Sequence, residues 1–214
     1  MNPTSENITP ANTTVETGRS LPQWRFWLPL VLQTVLIASV PAQAIFTQLT
    51  GKTAILQTAP VDPYDLMRGY SVTLSYDISR TDNLKSLPGW KTLPKDPYSS
   101  DQDYLAENTI VYVILQAPAD NSSSRPKPWK PVAVSRDRPA ALKPNQIALK
   151  GRANFRSLQY GLETYYMPES RRDEVNDNIQ RNQRKNPGVV EVKVDAQGNA
   201  VPLTLWVGDR RYSF

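Results

Sequence analysis

The chain has 214 residues and a net charge of +5, with neither cysteine nor histidine. The first absence removes disulfides, thiolate nucleophiles, iron–sulfur clusters and cysteine zinc sites; the second removes the commonest general base and transition-metal ligand. Any catalysis would fall to Asp, Glu, Lys, Ser or Tyr, no cofactor is implied, and the scattered basic residues do not form the stripe that nucleic acid requires.

Residues 1–22 are polar and read as a disordered tail. Between Arg25 and Lys52 there follow 26 residues without a charge. As a helix they would extend roughly 39 Å, enough for a hydrocarbon core of about 30 Å. Trp24, Phe26 and Trp27 sit at the leading end, where aromatic rings favour the headgroup region. Residues 23–49 are therefore expected to form a single transmembrane anchor in contact with the lipid bilayer. Arg19 and Arg25 before it place the N-terminus in the cytoplasm and residues 50–214 outside. A second reading is a signal peptide cut after Ala44, since Pro41-Ala42-Gln43-Ala44 supplies an A-x-A site. Against it stand some 25 residues before the apolar core, and Ile45 and Phe46 prolonging the apolar run. A buried core helix is a third reading, which the Trp-rich flank and the missing charges oppose.

Beyond the anchor, Thr53–Thr58 has strand composition and residues 62–69 read as a turn closed by Gly69. In the next run Val72, Leu74, Tyr76 and Ile78 alternate with Thr73, Ser75 and Asp77, which predicts one strand with one buried face. Residues 80–108 form a long insertion carrying Pro88-Gly89-Trp90. Residues 109–115 are apolar and β-branched, the pattern of a central strand. Residues 119–128 read as a hairpin connection, 129–135 and 146–152 as strands, and 155–167 as an aromatic-rich strand. A surface helix is expected over 168–185, with Glu169, Asp173 and Glu174 early and Arg181, Arg184 and Lys185 late. Val189–Val194, a five-residue turn and Ala200–Val207 close the chain as a hairpin. The fold class is mainly β, an antiparallel barrel or sandwich with one peripheral helix, preceded by a single transmembrane helix.

The run Asp62-Pro63-Tyr64-Asp65-Leu66-Met67-Arg68-Gly69-Tyr70-Ser71-Val72-Thr73-Leu74-Ser75-Tyr76 resembles the signature of the GDYXXLXY family of bacterial membrane-anchored proteins. Gly69, Leu74 and Tyr76 match, beside Arg68; Tyr70 and Ser71 stand where the family has Asp and Tyr. Thr50-Gly51-Lys52-Thr53 is similar to the family's lead-in, and residues 160–169 to its second block. The resemblance implies an uncleaved N-terminal helix in a bacterial membrane and a β-rich exterior domain, and it implies no activity. Arg68-Gly69 also faintly resembles the opening of a strand in membrane signal peptidases, but the Ser-Met-x-Pro nucleophile segment of that family is missing here.

Glu163, Tyr165, Tyr166 and Glu169 form an aromatic–carboxylate concentration, with Trp90, Tyr98 and Tyr104 in the insertion. Two roles compete. The tyrosines and Trp90 pack while Glu169 complements a helix start, or together they line a surface for a partner. The leading functional expectation is a non-catalytic module that binds or stabilises another envelope component, such as an integral membrane protein. The other class is an envelope hydrolase using paired carboxylates or a Ser–Lys pair.

Overall fold

A computed structural model describes residues 22–59, 71–98, 104–119, 125–154, 156–166 and 187–213. Residues 1–21 of the tail, Arg68, Gly69, and the helix expected over 168–185 with Glu169 lie outside the described residues. The chain forms two compact units, one up to Val40 and one from Pro41 to Phe214.

Helix α1 covers Trp24–Thr50. Among the described residues no single helix is long and apolar enough to cross a membrane. The segments Trp24–Ser39 and Pro41–Thr50 pass that test only as a pair, with a break between them. Pro41 opens the second segment. A proline inside a helix donates no backbone hydrogen bond and its ring crowds the carbonyl four residues earlier, which suffices for such a break.

The unit from Pro41 onward is mainly β, built from two antiparallel sheets and a short ribbon. Its strands are β1 (Lys52–Ala59), β2 (Ser71–Thr73), β3 (Ser75–Tyr76), β4 (Ile110–Gln116), β5 (Lys130–Ser135), β6 (Gln146–Asn154), β7 (Ser157–Gln159), β8 (Thr164–Tyr166), β9 (Val189–Val194), β10 (Ala200–Val207) and β11 (Arg210–Ser213). One sheet runs β11-β10-β9-β1-β3, the other β5-β4-β6-β7, and β2 pairs with β8 in a two-stranded ribbon. Among the described residues no closed barrel forms. The barrel half of the expectation is therefore corrected to two sheets sharing one core, to which Leu56, Val190, Val192 and Leu205 contribute from one side and Val113, Leu115, Val134 and Leu149 from the other.

Strand composition explains the placement. The β-branched run of β4 lies between β5 and β6 with Val111, Val113 and Leu115 fully buried. In β9 the alternation buries Val190, Val192 and Val194 while Glu191 and Lys193 stay half-exposed. Pro202 sits where the β9–β10 register shifts, a bulge that spares the ladder its missing N–H.

Two expectations need correction. The single strand over residues 70–79 is divided. β2 pairs with β8, β3 pairs with β1, and Asp77–Ser79 forms a 3₁₀ turn. Leu74, Tyr76 and Ile78 are buried as the alternation predicts. Alternation reports which side chains are covered and leaves the hydrogen-bond partner open, so a strand that changes sheets reads like one that does not. The aromatic-rich run 155–167 holds two short strands, β7 and β8, turning between them at Gly161 with φ 75°. The described part of the insertion 80–108 is packed: Leu84, Trp90, Leu93 and Leu105 are all buried.

Candidate functional site

The described residues of the two blocks that carry the family resemblance, Leu74 and Tyr76 in one and residues 160–163 in the other, meet in space. Where the chain passes from β2 to β3, the Leu74 N–H donates to the carbonyl of Glu163 at 2.7 Å. The Tyr76 hydroxyl donates to the Leu162 carbonyl at 2.8 Å, and the Tyr160 hydroxyl to the Ile78 carbonyl at 2.6 Å. The Tyr160 N–H in turn donates to Glu163 Oε1 at 2.6 Å. Two blocks more than eighty residues apart in the chain thus clasp each other. Burial pushes the Tyr160 phenol well above its ordinary range, and the Glu163 carboxylate adds to the rise.

The clasp uses one polar side chain that sequence reading offered to a partner, the Glu163 carboxylate. Glu163 is half-buried and turned toward backbone. Tyr165 and Tyr166 lie on β8 opposite Val72 and Ser71. A shallow groove of about 250 Å³ beside Tyr160 and Gly161 is lined by Lys150, Arg152, Gln159 and Asn199, so its charge is basic.

Trp90 is 3% exposed and belongs to the core, which places it with the packing role and not on an exposed surface. Gly89 makes that possible. Its φ is 91°, and a Cβ there would lie 1.9 Å from the Val134 carbonyl oxygen, so only glycine lets the loop press against β5. Lys95 Nζ lies 4.2 Å from the centre of the Trp90 ring, a cation–π contact within the insertion. Tyr98 is 96% exposed, and Tyr104 is half-buried with Lys85 and Arg156 against its ring.

A third constellation was not legible in the sequence. The last turn of α1 is joined to the β9–β10 turn. Thr47, 1% exposed, donates its hydroxyl to Asp195 Oδ2 at 2.9 Å. Asp195 Oδ1 accepts the backbone N–H groups of Gln197 and Asn199, and Oδ2 also accepts Asn199 Nδ2. Gly51 follows directly. A Cβ there would come within 2.5 Å of the Thr47 carbonyl oxygen and 3.0 Å of the Val194 backbone. The end of the helix is therefore fastened to the β-domain without a flexible linker. Beside this joint a cleft of about 290 Å³ is lined by Thr50 and Lys52, by Arg138 and Leu142 of the β5–β6 connection, and by Ile147 and Asp195.

Burial pushes the Asp195 carboxyl upward, but the side-chain bonds from Asn199 and Thr47 and the two backbone N–H bonds outweigh it and hold it below the ordinary carboxylate range. A depressed folded pKa contributes stability that is present above the unfolded value, about 3.9, and is lost as pH falls through the folded value. In the detergent-solubilised full chain, Asp195→Asn is expected to cost about 1.5–3 kcal/mol at neutral pH, the worth of bonds to a charged acceptor. The gap between variant and native chain should narrow below about pH 4, where the native carboxyl also becomes protonated. Denaturant midpoints at neutral and acid pH check this; a gap that stays constant contradicts it.

Chemically these features hold structure. Among the described residues no group of three Asp or Glu side chains could hold a metal ion. The two most telling titratable groups, Tyr160 and Asp195, spend their polar atoms on the protein itself. A family model described as GDYXXLXY protein matches residues 33–205, well over half of the chain.

The chain belongs to the GDYXXLXY family.

In this GDYXXLXY protein the matched region starts inside α1 and ends in β10, so it takes in the later part of the helix, the joint at Thr47 and Asp195, and every described strand up to β10, while β11 lies beyond it. No curated protein and no solved structure matches the chain.

Proposed function

We propose that this GDYXXLXY protein is a single-pass bacterial membrane protein whose extracytoplasmic β-domain acts by contact with a membrane or envelope partner and not by catalysis. The observation that carries this reading is the surface of α1. Of the fifteen large apolar side chains exposed among the described residues, thirteen lie on this helix, from Trp24 to Leu49. A helix that is apolar all round needs an apolar environment on every side, and nothing described in this chain supplies it. The stretch ahead of Thr47, Trp24–Phe46, has 23 residues, and the two segments on either side of the break before Pro41 together have the length and composition for a core of about 30 Å. Release after Ala44 would leave Ile45, Phe46 and Leu49, 54%, 55% and 78% exposed, at a new N-terminus in water.

The partner surface narrows to Tyr165, Tyr166 and Glu169, because Trp90 is in the core and Glu163 caps Tyr160. Intact mass of the membrane fraction tests the anchor. The full 24.1 kDa chain is expected, and a chain starting at Ile45 overturns it. Affinity purification from solubilised membranes tests the contact role. Tyr165→Ala with Tyr166→Ala should weaken co-purification of a membrane partner, since truncating an interface aromatic can cost about 2 kcal/mol or more. A folded double variant that keeps every partner removes this surface from the account.

A further inference from the structure

Outside α1, only two large apolar side chains are exposed among the described residues, Tyr98 and Leu142. Leu142 lines the cleft beside Thr50, where α1 ends. The connection that carries it runs from Arg136 to Asn145 and includes Arg138, Pro139, Ala140, Ala141 and Lys143. Arg136, Arg138, Leu142 and Lys143 are all exposed, as is Lys52, which lines the same cleft. The facing acids are Asp137, in the same connection, and Asp195, whose oxygens already accept four hydrogen bonds. Basic groups therefore outnumber acids around the cleft, and the acid inside it is the one already engaged.

The root of the connection is held in place. The Lys143 carbonyl accepts the Gln146 N–H at 2.9 Å, and the Asn145 carbonyl accepts the Ala117 N–H at 2.9 Å. Gln146 Nε2 donates to Gln116 Oε1 at 3.0 Å. The last turn of α1 is fastened to the same domain through Thr47 and Asp195. An exposed leucine among arginine and lysine, fixed beside the end of an apolar helix, has the make-up of a segment that lies in a lipid–water interface.

We propose that the β5–β6 connection is a second membrane contact, and that the cleft between it and Lys52 receives the phosphate of an anionic phospholipid headgroup while Leu142 reaches the acyl boundary. Arg138 and Lys52, which both line the cleft, supply the charge, and Arg136 and Lys143 widen the basic face. This rests on the reading of α1 as a membrane anchor. With both contacts made, the β-domain is held at a set orientation to the surface, which a partner-binding module in a membrane requires.

The full chain carries no cysteine, so Ala141→Cys takes a single environment-sensitive fluorophore. Reconstituted in vesicles of phosphatidylcholine containing phosphatidylglycerol, the probe should be quenched by headgroup-labelled lipid more than in phosphatidylcholine alone. Free glycerol phosphate added to phosphatidylcholine vesicles should not reproduce the effect. Each Lys or Arg near an anionic surface is worth about a fivefold change in the contact equilibrium, so Arg138→Glu with Lys52→Glu should abolish the phosphatidylglycerol dependence. That variant should still float with the vesicles, because α1 is intact. Quenching that ignores phosphatidylglycerol, or that survives the double reversal, overturns the headgroup site and leaves the anchor standing. Native chain that fails to float overturns both.

Discussion

Tyr76→Ala should destabilise the protein by about 3–5 kcal/mol, the range for deleting a large buried aromatic. Tyr76 is fully buried at the end of β3, where the chain enters the Asp77–Ser79 turn, and its hydroxyl ties Leu162 to this corner. Removing it opens a cavity in the core, and it leaves the Leu162 carbonyl without this donor. Tyr76→Phe separates the two effects and should cost only about 1–2 kcal/mol, the worth of one buried hydrogen bond. Denaturant titration of the full chain in detergent gives both values. A loss under about 1 kcal/mol for the alanine variant would contradict the packing described here.

Gly89→Ala should be nearly as damaging, for a different reason. The backbone at φ 91° disfavours any Cβ by about 1–2 kcal/mol. The new atom would also lie 1.9 Å from the Val134 carbonyl oxygen, and forcing atoms into a packed site costs about 1–3 kcal/mol or more. The insertion must lift from β5, and the buried Trp90 beside it should move toward water. Gly161→Ala is the control. It has φ 75° and open space where its Cβ would go, so it should show the backbone cost alone. Tryptophan emission and denaturant midpoints distinguish them; equal losses would mean that the contact with Val134 is not made.

The elements that depend on near-neighbour chemistry were legible in the sequence. The charge-free run became α1, the β-branched run became the centre of a sheet, and the final hairpin lies at the expected residues. What escaped depends on distant partners. Alternation from Val72 to Ile78 does not reveal that β2 and β3 belong to different sheets. Leu84, Trp90, Leu93 and Leu105 have no regular spacing, so the sequence marks residues 80–108 only as a long insertion and does not show which of its side chains fill the core. Strand β11 was missed because it is four residues long; the Gly208-Asp209 pair before it, with φ 59° at Gly208, was the available turn signal.

The candidate site divides in the same way. Gly69, Leu74 and Tyr76 were singled out from the motif, and Leu74 and Tyr76 prove to be architectural. Glu163 was chosen for its charge and is turned inward onto Tyr160. Asp195 was read only as part of a turn. Its Asp-Ala-Gln-Gly-Asn setting does signal a side chain bonding its own backbone two residues on. Its bond to Thr47 joins residues 148 apart, and no local pattern announces it.

In the proposed topology α1 remains on the mature protein, spans the membrane and holds the β-domain on the far side. Because the chain contains no cysteine, single reporters can be placed without background. Asp209→Cys marks an exposed turn of the β-domain and Thr4→Cys the N-terminal segment. With a membrane-impermeant maleimide, Asp209→Cys should label in intact spheroplasts and Thr4→Cys only after lysis, with both chains retained in the carbonate-washed membrane pellet. Labelling of Asp209→Cys only after lysis, or recovery of either chain in the soluble fraction, would contradict it.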